Sequence, residues 1–126
     1  MCVWLLRIGG IATLSAFPAM VLPTAWMTGI HEALGLGRFP DAPLTQYLTR
    51  SIAGLYGFHG VLMLLVSTDT RRYAPIVLYL GAMNVVLGLT MLAIDLHAGM
   101  PWWWTAAEGP AIAATGAVIL ATRPRD

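Results

Sequence analysis

Four long apolar runs, each near the length of a membrane-crossing helix, constrain this 126-residue chain more than any other feature. They fall at about residues 3–28, 47–67, 75–96 and 102–122. A helix needs about 20 apolar residues to cross a hydrocarbon core about 30 Å thick. The runs are continuous rather than alternating, which favours helices over strands. Only helices and closed barrels satisfy their own backbone in lipid. Composition agrees: the chain is 58% hydrophobic and 10% charged, whereas soluble domains carry about 25% charged residues. Mean hydropathy is +0.73. The sequence therefore predicts one all-α domain over residues 1–126, a four-transmembrane-helix bundle running up-down-up-down through the bilayer.

The breaks between runs carry turn chemistry. Asp69-Thr70-Arg71-Arg72 separates the second run from the third, and Gly99 with Pro101 separates the third from the fourth. Pro75 and Pro101 suit helix starts, where a missing N–H costs nothing. Residues 29–45, with Pro40-Asp41-Ala42-Pro43, read as a surface loop. Arg7 before an apolar run has a signal-peptide look. The run 8–27 exceeds the usual h-region of about 7–15 residues, however, and no clear A-x-A site follows, so a retained first helix is expected. With four crossings, Arg7, Arg71, Arg72, Arg123 and Arg125 share one side and Arg38 and Arg50 the other. That bias predicts both termini inside the cytoplasmic (inner) membrane. The run Trp102-Trp103-Trp104 then reads as an interfacial anchor on the outer side. A formal net charge of +1 leaves no footprint for nucleic acid, and the lone Cys2 excludes an internal disulfide.

Ionisable groups inside spans are costly and usually face other helices or a cavity. At about 100° per residue, each run has one polar or small-residue stripe. Thr13, Thr24, Thr28 and His31 share a face in the first run. Arg50, Gly54, Gly57 and Val61 do so in the second, and Gly81, Asn84, Gly88 and Asp95 in the third. In the fourth the stripe is Trp104, Glu108, Ala111, Thr115 and Thr122. The simplest arrangement turns all four stripes inward. Arg50, Asp95 and Glu108 each lie within about two turns of the outer end, roughly 3–10 Å deep. His31, Glu32 and His97 lie at the outer rim, beside Trp104. A lone charge at the bilayer centre costs about 2.5–3.5 kcal/mol on insertion scales. Pairing Arg50 with Asp95 or Glu108 would offset much of that. The cluster is expected to serve either as an ion-pair clasp or as an outward-facing pocket, with Asn84 deeper on the same face as Asp95.

His59 lies about 180° from Arg50 and roughly 16–18 Å from the outer end. It would need a second histidine at its own depth to hold a b-type haem, and His31 and His97 are both at the rim. Those two with Glu32 are the residues available for a surface metal. No cofactor is otherwise implied. Pro18 and Pro23 predict a kinked first helix, and Pro110 frees the Ala106 carbonyl one turn back. Gly54, Gly57 and Gly60 recur every third residue, and Ala113, Ala117 and Ala121 every fourth; both series read as close-packing surfaces. The sequence contains no Gly-rich phosphate loop, HExxH, GxSxG or CxxC motif.

Arg50-x3-Gly54-x2-Gly57, the turn Asp69-Thr70-Arg71-Arg72-Tyr73, a Gly-rich third run and a carboxylate in the fourth resemble small four-helix bacterial membrane proteins of the DoxX-like kind. The resemblance covers about residues 45–122, with Arg50 as the matching motif residue. It implies a four-helix bundle in the cytoplasmic membrane. Some members of that family are linked to quinone-dependent sulfur oxidation, but a thiol-based role would need cysteines that this chain lacks. Three functions follow as expectations. The first is a non-catalytic accessory or scaffold subunit of a membrane assembly, or a homo-oligomer. The second is a small transporter or ligand-binding protein using a pocket around Arg50, Asp95 and Glu108. The third is a quinone- or haem-linked redox subunit.

Overall fold

The computed structural model describes residues 1–124. Among them the only regular structure is helical: α1 (Cys2–Leu14), a 3-10 helix (Phe17–Met20), α2 (Thr24–Ala33), α3 (Pro43–Val66), α4 (Ala74–Ala98) and α5 (Trp102–Thr122). Four segments are long and apolar enough to cross a membrane: Cys2–Met20, Pro43–Val66, Ala74–Ala98 and Trp102–Thr122. At 1.5 Å per residue the last three reach ~31–38 Å, enough for a hydrocarbon core. The protein is thus a multi-pass α-helical membrane protein.

The first apolar run departs from a single kinked helix over 3–28. α1 stops at Leu14, and the chain continues through i→i+3 bonds, Ala16 N to Thr13 O, Ala19 N to Ala16 O and Val21 N to Pro18 O. Pro18 cannot donate to Leu14, and Pro23 cannot donate to Ala19, so α-helical bonding fails twice within two turns. Pro23 instead begins α2, which spans 10 residues and is too short to cross. α2 also occupies residues expected to be loop, as does the start of α3 at Pro43, where a proline is tolerated at a helix N-terminus.

The chain forms two compact units, residues 8–64 and residues 1–7 with those from 65 onward. In the first, α3 packs antiparallel to the end of α1 and the 3-10 helix through its glycine series. Gly54 faces Met20, Gly57 faces the Phe17 ring, and Gly60 faces Gly10, Thr13 and Leu14. A Cβ at Gly60 would lie 2.6 Å from the Gly10 carbonyl and 2.7 Å from the Leu14 nitrogen. Backbones this close exclude any side chain, which is how small residues gain dispersion contact where lipid gives no hydrophobic drive.

The second unit contains the antiparallel pair α4–α5, joined by a turn at Gly99. That residue is left-handed (φ 67°, ψ 37°), and its N–H and that of Met100 both bond the Asp95 carbonyl, closing α4. Gly88 meets Gly109 and Ala113, and Gly81 meets Ile119 and Leu120. A Cβ at Gly116 would lie 2.6 Å from the Gly81 carbonyl. The buried core members of this unit include Val77, Leu80 and Ile119.

Candidate functional site

α4 presents the stripe its spacing predicts. Gly81, Asn84, Gly88 and Asp95 are all buried, on the face that meets α5. Asp95 is 5% exposed, and its Oδ2 is buried without a hydrogen-bond partner among the described residues. The α4–α5 register follows from Gly116 against Val85 and Gly109 against Leu92. Extended toward the turn, it sets Asp95 level with residues 105–106 of α5.

The partner face on α5 differs from the expected one. Gly109, Gly116 and Ile119 are its buried residues, whereas Ala111 is exposed and Thr115 only half-buried. The helix is turned by about 100°, one residue, from the predicted stripe. Closest approach is decided by the glycines. The hydroxyls need no neighbour, because Thr115 donates to Ala111 O at 2.8 Å and Thr122 to Val118 O at 2.7 Å. Glu108 stands on the flank of this face, half-buried, and its Oε2 accepts the Trp104 indole N–H at 2.7 Å. Trp104 in turn packs edge-on against Trp103, centroids 5.6 Å apart. Trp102 is 81% exposed.

Arg50 belongs to the other unit. Its guanidinium donates to the Met20 carbonyl at 2.6 Å and to the Leu22 carbonyl at 3.0 Å. These oxygens lie where the first apolar run breaks, so they lack the donors a continuous helix would supply. The fork of Arg50 supplies them instead. The sequence flagged Arg50 and the prolines separately; the link between them, a cation against broken-helix carbonyls, is what it missed.

The rim residues have local roles. His31 Nδ1 lies 2.8 Å from the Gly37 carbonyl, and its ring packs edge-on against Phe39, which pins the loop after α2. Glu32 and His97 are exposed. His59 is half-buried on α3. Among the described residues, no group of three or more His, Cys, Asp or Glu side chains is placed to hold a metal ion. Arg125, counted in the charge bias, lies outside the described residues.

Fold and site together define a multi-pass helical membrane protein with one buried acidic residue at the turn end of its α4–α5 pair. No protein-family model, curated protein or solved structure matches the chain.

Proposed function

We propose that this chain is a non-catalytic subunit of a membrane assembly, either a homo-oligomer or a scaffold for other membrane chains. The observation that carries the reading is how the polar side chains are used. Arg50 is committed to Met20 and Leu22, Glu108 to Trp104 and His31 to Gly37. What faces outward is apolar: along α3 alone, Leu44, Leu48, Ile52, Leu55 and Phe58 are 46–69% exposed. A chain built this way offers surface rather than chemistry. The loose resemblance to DoxX-like proteins supports the same architecture, with both termini on the cytoplasmic face as the arginine bias suggests.

Native mass spectrometry of the protein extracted from its own membrane in mild detergent tests the reading. The expected result is a defined homo-oligomer or a complex with other membrane chains in fixed stoichiometry. A lone monomer that carries saturable solute flux in liposomes would contradict it.

A further inference from the structure

Arginine gathers where α1 begins, α3 ends and α4 begins. Residues 1–7 and those from 65 onward form one compact unit, so Arg7 belongs with the turn that carries Arg71 and Arg72. The α1–α3 register agrees. Gly9 lies against Met63 and Gly10 against Leu64; continued toward the start of α1, this sets Trp4 and Arg7 level with about residues 65–68. All three arginines are exposed. Two of them rest on aromatic rings. The Arg7 guanidinium carbon stands 5.6 Å from the Trp4 ring centroid, and that of Arg72 stands 5.7 Å from the Tyr73 centroid. Helical side chains lean toward the N-terminus, so Arg7 reaches back over Trp4 toward the start of α1 and away from the apolar span. The turn's one acidic residue, Asp69, is engaged locally, its Oδ1 accepting the Arg72 backbone N–H at 3.0 Å.

We propose that this end of the unit is a docking surface for anionic phospholipid headgroups, with Arg7, Arg71 and Arg72 donating to their phosphodiester oxygens. Charge complementarity carries the assignment. Residues 1–7 and 65–74 bring three guanidiniums and one carboxylate, Asp69. A guanidinium fork matches phosphate oxygens, and basic residues beside a bilayer attract its anionic lipids. The rings fix the depth. Trp and Tyr sit between acyl chains and water, so Trp4 and Tyr73 hold two of the cations at the level of the phosphates. Arg123 is outside the set, because its Nη1 donates to the Leu120 carbonyl at 2.7 Å. The surface is independent of the assembly role proposed above, since it belongs to one unit of one chain.

The test is lipid selectivity of the full-length protein in phosphatidylcholine vesicles, read by electron spin resonance with spin-labelled phosphatidylglycerol against spin-labelled phosphatidylcholine. The anionic lipid is expected to associate about fivefold more strongly, the effect of one arginine at a charged surface. Replacing all three residues (Arg7→Gln, Arg71→Gln and Arg72→Gln) removes the preference. Equal association of the two lipids, or a preference that the triple variant keeps, would overturn the proposal. If the triple variant does not fold, a sodium chloride titration of the unaltered protein decides. A preference that falls as salt rises upholds the surface, and one that salt leaves unchanged removes it. Inorganic phosphate at constant ionic strength separates the two sources of the anion. No displacement of the labelled lipid is expected, and saturable displacement would assign the arginines to a free anion and overturn the membrane reading.

Discussion

At the scale of single residues, Arg50 shows how backbone carbonyls can stabilise a charge in an apolar chain. Its two hydrogen bonds to Met20 and Leu22 satisfy both the guanidinium and a broken helix. Bonds from charged donors contribute about 1.5–3 kcal/mol each when buried. Arg50 is half-buried, so Arg50→Ala is expected to lower stability by about 2–3 kcal/mol in total. Arg50→Lys should recover only part of this, since an ammonium lacks the fork that spans two oxygens. Unfolding by titration with a denaturing detergent reads both. The Trp104–Glu108 bond should appear as coupling in a double-mutant cycle. Trp104→Phe is expected to cost about 1 kcal/mol with Glu108 present and markedly less in a Glu108→Ala background. Equal costs in the two backgrounds would mean that the bond contributes nothing. Arg50 was legible as a functional or structural centre from its place in an apolar run, but its partners were not. Backbone carbonyls have no sequence signature except the prolines that expose them.

At the scale of elements, glycine decides the packing. The α4 stripe could be read directly, because Gly81, Asn84, Gly88 and Asp95 stand at helical spacing in an otherwise apolar run. The α5 face was read one residue out of phase. There the polar residues Trp104, Glu108 and Thr115 suggested one side, while Gly109 and Gly116 set another. Threonine satisfies its hydroxyl on its own helix, so it signals a face weakly; a backbone contact that only glycine permits signals it strongly. Gly88→Ala would drive a methyl into the α5 backbone at Gly109 and Ala113, and about 1–3 kcal/mol of destabilisation is expected. Gly29, inside α2, has nothing within 4 Å of where a Cβ would stand. Gly29→Ala should therefore stabilise by about 0.5–1 kcal/mol through helix propensity. The same detergent titration measures both, and opposite signs are expected. The break in the first run was legible as a kink, but not as a full interruption with a separate ten-residue helix beyond it. Two prolines five residues apart remove donors in successive turns, and their joint effect exceeds a bend.

At the scale of the whole molecule, the central claim is four crossings, made by Cys2–Met20, Pro43–Val66, Ala74–Ala98 and Trp102–Thr122. It follows from length and apolar character, the strongest signals in the sequence. Labelling of single cysteines with a membrane-impermeant maleimide tests this most directly, using intact cells and a Cys2→Ser background. Three variants suffice: Arg38→Cys, Thr70→Cys and Met100→Cys. Four crossings with the termini inside predict that positions 38 and 100 label from outside, and that position 70 labels only after the membrane is opened. Labelling of all three from the same side, or of 38 and 100 from opposite sides, would contradict the account.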